Sequence, residues 1–216
     1  MLGPSGVRTL HLETSLRQAR PAAASETAKQ ETSCSASSMS EHAGPPDPEL
    51  TTLRRFFRYI ADARQVYLET FSRLPSDALQ KDRGASFPSI LDIFGHALDV
   101  YKSWVVYAYA DGNEPESKRA GWTLPECKVL ATEVAGILDR FLASLTSPDL
   151  DREFTFHWIP GDESTRTSMI TRDMLWHLVE EELQHRGEIN ALLWQMDIDA
   201  PTLGWEDWVK TQAKTR

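Results

Sequence analysis

The sequence predicts an all-α domain, a four-helix bundle with a short β-hairpin between its third and fourth helices. Apolar residues recur at intervals of three and four over four long segments, which is the pattern of amphipathic helices. Short links containing proline and glycine separate these segments. One stretch, residues 153–170, is instead strand-like: aromatic residues occupy every second position before a turn, and a run rich in Thr and Ser follows it. The length of 216 residues suits one domain rather than two.

The first three helices have recognisable ends. Asp47 followed by Pro48 is an N-cap with proline at the first helical position, and this helix is expected to end before Pro75. The second helix is expected over about residues 89–111, from a capping serine to the segment "DGNEP". The third is expected over about residues 123–145, where "TSPD" ends it.

The hairpin and the fourth helix complete the domain. In "EFTFHWIPGDESTRTSMI" aromatic residues alternate with other side chains up to the turn "PGD". The fourth helix is expected over about residues 171–196. Pro201 and Gly204 rule out its simple continuation, whereas Trp205 and Trp208 predict a last turn packed back on the domain.

The N-terminal segment differs in composition from the rest of the chain. Residues 1–46 are rich in Ser, Ala, Pro, Thr and Gly and are expected to be disordered, ahead of a domain at 47–210 and a tail at 211–216. Arginines and leucines near the start weakly suggest an organelle transit peptide. The alternative is that the sequence as given starts too early, because Met39 would be a natural first residue just ahead of the domain.

Composition and charge exclude several classes of protein. The net charge of −9 argues against binding to nucleic acid, although Arg54, Arg55 and Arg58 form a local basic cluster. No stretch approaches the roughly 18 uninterrupted apolar residues of a membrane span. Cys34 and Cys127 have neither disulfide-like nor zinc-ligand spacing. We therefore expect a cytoplasmic protein whose partners include neither a membrane nor nucleic acid.

Two polar residues of the fourth helix point toward the bundle. At about 100° per residue, His185 falls inside the apolar arc of that helix and Glu181 lies just beyond its edge. A buried charge needs a partner, and a Glu and a His four residues apart can chelate one ion. The same spacing also suits a simple carboxylate–imidazolium pair, so both interpretations stay open.

His96, on the second helix, is the candidate third ligand. A histidine at the flank of an apolar arc can be an ordinary core residue, but with Glu181 and His185 it completes a His2Glu set. That set occurs in catalytic zinc sites and resembles the facial triad of non-haem iron. His177 offers a competing arrangement, because one ion can span a single step of four residues, either 177 with 181 or 181 with 185. We favour the second pair, since His185 lies nearer the middle of the arc.

The residues around this pair also carry predictions. Glu182 lies within the apolar arc, and Arg186, four residues on, is its expected partner. Gly187 costs a mid-helix position about 1 kcal/mol relative to alanine, which suggests that another backbone passes close by. Glu188 is expected on the solvated face, with reach to the mouth of a pocket.

Two segments, "HLVEEELQHRGEINALLWQMDIDAP" and "SFPSILDIFGHALDVYKSW", resemble the DinB-like superfamily of damage-inducible and thiol-transferase bundles. The characteristic piece is "HRGEI" late in the last long helix, followed by a polar turn, a proline and an aromatic pair. The resemblance covers about residues 48–210. It implies an up-down-down-up bundle, often dimeric, with a divalent metal ion held by His96, Glu181 and His185. The family commonly has histidine at the position of Glu181, which bears on the metal preferred here.

The resemblance also implies a function. Some relatives join low-molecular-weight thiols to electrophiles, and others are thiol-dependent isomerases. The implied activity is that of a metal-dependent thiol S-transferase or hydrolase with a small-molecule substrate. Its cofactors would be a divalent metal ion, zinc or nickel ahead of manganese or iron, and a low-molecular-weight thiol. The alternative is a catalytically silent dimeric bundle in which Glu181 and His185 form a structural pair.

Overall fold

A computed structural model describes residues 47–110, 118–159, 161–201 and 203–214 of the chain. Most of them are helical, as the sequence predicts. The disordered segment predicted for residues 1–46 and the predicted end of the second helix at "DGNEP" lie outside the described residues.

Four long helices form the body of the domain. They are α1 (Pro48–Phe71), α3 (Ile90–Lys102), α4 (Leu124–Ser144) and α5 (Thr171–Trp194). A wider, π-helical turn over Ser103–Ala108 continues α3. These four helices correspond to the four segments whose apolar residues recur every three and four positions.

Two further helices were not predicted in full. A short α-helix, α2 (Ser76–Gln80), follows α1, and α6 (Trp205–Lys214) stands where only one turn was expected. Helix α6 also passes the domain boundary placed at residue 210. It packs back on the domain as predicted, because Trp208 is buried and its indole Nε1 donates a hydrogen bond of 2.6 Å to Asp62.

The predicted hairpin is confirmed. Strands β1 (Glu153–His157) and β2 (Arg166–Ile170) pair antiparallel, with Glu153 opposite Ile170 and His157 opposite Arg166. The aromatic side chains of Phe154 and Phe156 are buried, as the alternation predicts.

Side-chain caps explain where three of the long helices begin. Asp47 accepts a hydrogen bond of 2.9 Å from the backbone N–H of Leu50, and Ser89 accepts one of 3.1 Å from Asp92. Thr123 and Glu126 form a reciprocal capping box at the start of α4. Each cap satisfies backbone donors that the first turn of a helix leaves free.

The helices enclose one hydrophobic core. Helix α3 packs against α4 and α5, and α1 also packs against both of these helices. The largest side chains at the centre of the core are Tyr67, Phe71, Tyr101 and Phe156. None of the helices in the part of the chain that the structure describes has both the length and the apolar character needed to cross a membrane.

Candidate metal centre

The three predicted ligands lie together at the face shared by α3 and α5. Oε2 of Glu181 is 3.3 Å from Nε2 of His185 and 3.9 Å from Nε2 of His96. The imidazole rings of His96 and His185 meet edge to face with their centroids 5.0 Å apart. One ligand atom from each residue lies within 4.8 Å of the others, which is close enough for the three to share an ion.

Glu181 also contacts His177, through its other carboxylate oxygen. Oε1 of Glu181 is 3.7 Å from Nε2 of His177, and Nδ1 of His177 is 3.5 Å from Glu180. His177, Glu180 and Glu181 therefore form a second group of possible ligands. His96 from α3 belongs to the first group, so that group draws on two helices whereas the second lies on α5 alone.

Aromatic rings border the three residues. The Phe87 ring stacks on the imidazole of His96 with centroids 4.1 Å apart, and its centroid is 5.9 Å from that of His185. On the side of His177, the Trp104 ring lies 5.2 Å from that imidazole. Phe87 was not predicted as part of the site. Its position in the sequence is the signal that could have found it, because Phe87 comes directly before the proline and the capping serine that begin α3.

A second carboxylate orients His185 from the opposite side of its ring. Oε2 of Glu188 is 3.4 Å from Nδ1 of His185. Ser86 holds this carboxylate with a backbone hydrogen bond of 2.7 Å and a hydroxyl hydrogen bond of 2.5 Å. Glu188 is thus half-buried and engaged, rather than a free residue on a solvated face. An imidazole held by a carboxylate at one nitrogen presents the other nitrogen in a defined direction.

The protonation equilibria of these groups follow from their contacts. Burial, and then the charge of a protonated His185, lower the pKa of His96. Burial would also lower the pKa of His185, but its contacts with Glu181 and Glu188 outweigh burial and raise that pKa. The hydrogen bond from His185 lowers the pKa of Glu181 against the opposing effect of burial. The result is an ionised Glu181 beside a neutral His96 at neutral pH, two forms that can donate lone pairs to a cation.

The predicted pair of Glu182 with Arg186 is wrong. Glu182 instead accepts two hydrogen bonds from Arg64 of α1, 2.7 Å from Nη2 and 3.1 Å from Nε. Arg186 donates to the hydroxyl of Tyr59 at 3.2 Å. The physical reason is that α1 brings a long cationic side chain into the core directly against Glu182, where a buried carboxylate gains most from a counter-ion.

The prediction for Gly187 is also wrong within this chain. In the part of the chain that the structure describes, a Cβ atom added at Gly187 would meet no heavy atom of a neighbouring helix or loop within 4 Å. Gly95, next to His96, does face a close neighbour, because a Cβ atom added there would overlap the indole ring of Trp122.

A model of the DinB family matches residues 39–203, more than half of the chain. The chain belongs to the DinB family. The family assignment confirms the resemblance based on "HRGEI" and on the segment around His96.

A solved DinB-like structure agrees with the family at the level of the fold. A DinB-like protein from Bacillus cereus ATCC 10987 is 17% identical, with a TM-score of 0.50, and the match covers 70% of this chain and 95% of that one. A DinB-like protein, YjoA, from Bacillus subtilis is 18% identical, with a TM-score of 0.49, and the match covers 68% and 94% of the two chains. A comparison with curated proteins gave no significant match.

Proposed function

We propose that this DinB-family protein binds one divalent metal ion through His96, Glu181 and His185. We further propose that it is a metal-dependent enzyme of the thiol S-transferase or hydrolase type, acting on a small molecule. The observation that supports this most is the meeting of two imidazole nitrogens and one carboxylate oxygen, from two helices, within 4.8 Å. Two imidazoles and a carboxylate are a donor set of catalytic zinc sites, which leave further positions open for substrate.

The surroundings of these three residues suit a metal centre. Glu188 contacts Nδ1 of His185 and leaves Nε2 directed at Glu181. Side chains of His96 and Glu181 are 25% and 21% exposed, so the site is sheltered but open to a small ligand. Phe87 covers one face of His96 and limits the access of water from that side.

The chemistry follows from the ligand set. A bound divalent ion would supply Lewis-acid chemistry that lowers the pKa of a thiol or of water, so that a nucleophile forms at neutral pH. Glu181 would neutralise part of the cation's charge, and His177 contacts the carboxylate oxygen that faces away from His96. Because carboxylate is a harder ligand than the histidine common in the family, manganese or iron would compete with zinc or nickel here.

Elemental analysis of protein purified without an affinity tag tests the metal. The wild type should contain about one divalent ion per chain, and His96→Ala and His185→Ala should each lose most of it. His157→Ala, a change in the hairpin away from the three ligands, is the matched control and should keep the metal. His177→Ala should also keep it if the ion lies between positions 181 and 185. Wild-type protein without stoichiometric metal, or full retention in both ligand variants, would reject the proposal.

A catalytically silent bundle is the second candidate, and the 3.3 Å contact of Glu181 with His185 supports it, since the two form an ion pair unaided. A chelator separates the candidates. A ligand that binds only the folded state at about 100 times its Kd stabilises it by about 2.7 kcal/mol, so chelation should lower the Tm of a metalloprotein. An unchanged Tm after chelation would favour the silent bundle.

We also propose the up-down-down-up order for the four long helices. The packing of both α1 and α3 against α4 and α5 supports a ring in which α1 and α3 stand diagonally. A solved structure with α3 and α4 antiparallel would contradict this order.

A further inference from the structure

Three arginines of α1 line one groove between α1 and α6, with a volume of about 620 Å³. Its α1 wall contains Thr51, Arg54, Arg55 and Arg58, and its α6 wall includes Trp208 and Val209. The four α1 positions follow one another at steps of three, one and three residues, so they share one face of the helix. We call this cleft the arginine groove.

The positive charge of the arginine groove is not neutralised within the described part of the chain, where no carboxylate lines the groove and its arginines form no ion pair. Arg64 and Arg172, by contrast, are each joined to a carboxylate. Asp62 lies four residues beyond Arg58, at a spacing that suits an ion pair, but its carboxylate instead accepts the hydrogen bond of 2.6 Å from Trp208. In a chain with a net charge of −9, the groove is therefore a local reversal of sign that attracts anions.

Two of the three arginines are held in place by their own chain. From Nε and Nη2, Arg54 donates hydrogen bonds of 3.0 and 2.8 Å to the carbonyl oxygen of Leu142, and Nη2 donates one of 3.0 Å to that of Leu145. The guanidinium carbon of Arg55 lies 5.1 Å from the ring centroid of Trp205, at the distance of a cation–π contact. Because these side chains are already fixed, less rotamer entropy is lost when a ligand binds between them.

The third arginine keeps its donors for a ligand. Arg58 is exposed, and its side chain makes no hydrogen bond, ion pair or ring contact with the residues that the structure describes. A guanidinium presents five N–H donors in a planar fork, which matches the oxygens of phosphate. A phosphate group carries a charge of about −1.5 to −2 and three acceptor oxygens, so it neutralises three cations better than one carboxylate does.

The size and place of the arginine groove favour a small molecule at a site of its own. Its volume of about 620 Å³ falls within the roughly 300–1,000 Å³ of small-molecule sites. Nucleic acid needs a longer basic face, which an acidic chain with one basic groove does not offer. None of the described residues lining the groove belongs to α3 or α5, the helices of the candidate metal ligands.

We propose that the arginine groove binds the phosphate groups of a phosphorylated small molecule. Arg54 and Arg55 supply two fixed positive charges, and Arg58 donates its paired N–H groups to the phosphate oxygens. The exposed edges of the α6 wall contact the rest of the ligand. This site is additional to the proposed metal centre and does not depend on it.

Isothermal titration calorimetry of the full chain with pyrophosphate tests the groove, because this probe carries phosphate groups without an organic body. The wild type should bind it with a Kd below about 1 mM at an ionic strength of about 0.05 M. Arg58→Met should raise this Kd about tenfold or more, through the loss of charge-assisted hydrogen bonds. Arg58→Lys should raise it less, since it keeps the charge and loses only the planar fork. Both variants should keep the wild-type urea midpoint, because Arg58 is exposed.

Arg73→Met is the matched control, because Arg73 is an exposed arginine just beyond the end of α1 and does not line the groove, so its replacement should leave the Kd unchanged. A wild-type Kd above about 10 mM would overturn the proposal, as would an equal Kd in the wild type and in Arg58→Met. Tighter binding of citrate than of pyrophosphate would overturn the assignment to phosphate. Binding of a short single-stranded DNA that is lost in Arg58→Met, without any binding of pyrophosphate, would assign the groove to nucleic acid instead.

The same titration with His96→Ala separates the groove from the metal centre, since pyrophosphate also binds metal ions. An unchanged Kd in His96→Ala would support the groove, whereas lost binding would place the anion at the metal and overturn the proposal. The metal content of Arg58→Met should equal that of the wild type. The two proposals therefore fail separately.

Discussion

Replacing Arg64 by methionine would leave the carboxylate of Glu182 buried without its counter-ion. The two side chains are 4% and 3% exposed, and two hydrogen bonds of 2.7 and 3.1 Å join them. The guanidinium carbon of Arg64 also lies 4.1 Å from the ring centroid of Tyr101, a cation–π contact that methionine would lose. Removing one member of a buried pair costs about 3–5 kcal/mol, because the remaining charge stays desolvated.

The loss should be visible in both chemical and thermal unfolding. For a domain of this size, 1 kcal/mol corresponds to a shift of about 2–4 °C in Tm, so Arg64→Met should lower Tm by about 6–20 °C. Urea denaturation at neutral pH should show a lower midpoint with an unchanged slope, if the variant loses stability rather than compactness.

Two further variants separate the buried pair from a general effect of lost charge. Arg58→Met removes an exposed arginine from the same helix and should change stability by no more than about 0.5 kcal/mol. The double variant Arg64→Met, Glu182→Leu removes both charges and should recover part of the loss, because the buried carboxylate is gone while Arg186 loses the favourable charge of Glu182. A cost below about 1 kcal/mol for Arg64→Met would show that Glu182 finds another partner or water, and would refute this reasoning.

Two other substitutions test packing and capping. Gly95→Ala should destabilise the protein by about 1–3 kcal/mol in urea denaturation, because the new Cβ would overlap the buried Trp122 ring; a neutral effect would contradict the tight contact. Hydrogen bonds from Lys118 and then Thr123 lower the pKa of Glu126 to about 2. The charge of Glu126 should therefore stabilise the fold at pH values above the ordinary pKa of 4.5, and this stabilisation should be lost as the pH falls toward 2. Glu126→Gln can still form the capping box, so it should lower the urea midpoint at pH 7 only through the lost charge. The difference in midpoint between wild type and variant should shrink at lower pH. A difference that does not change with pH would contradict the role of the charge.

The first residues of helices, and whether a given side chain points into the core, were predictable because both depend on short-range geometry. Asp47, Ser89 and Thr123 cap helices through hydrogen bonds to residues three positions ahead, and such signals are complete within a few residues of sequence. The inward position of His185 follows from helical periodicity in the same way, and it is buried. By contrast, the short helix α2 has no side-chain cap hydrogen bond, and its five residues are too few to show a period.

Contacts between helices needed the tertiary structure. Arg64 and Glu182 are separated by 118 positions in the sequence, so no local pattern joins them. Each is a charged residue at a position of its helix where the periodicity calls for an apolar one. That common feature could have suggested that the two pair. Ser86 and Glu188 are separated by 102 positions, and no local pattern indicates that this loop reaches α5. Arg186, the predicted partner of Glu182, lies only four residues from it and is a suitable partner on local grounds. In the folded protein Arg64, which is distant in the sequence, pairs with Glu182 instead.

By itself the sequence determined the helical class of the domain and its DinB-like motif, and it predicted three candidate metal ligands. The tertiary structure decided which helices are neighbours, and so brought His96 within reach of Glu181 and His185, placed Phe87 and Glu188 around them, and formed the arginine groove between α1 and α6. The physical reason is that periodicity and caps act within one helix, whereas the relative placement of helices depends on how all their apolar faces pack together.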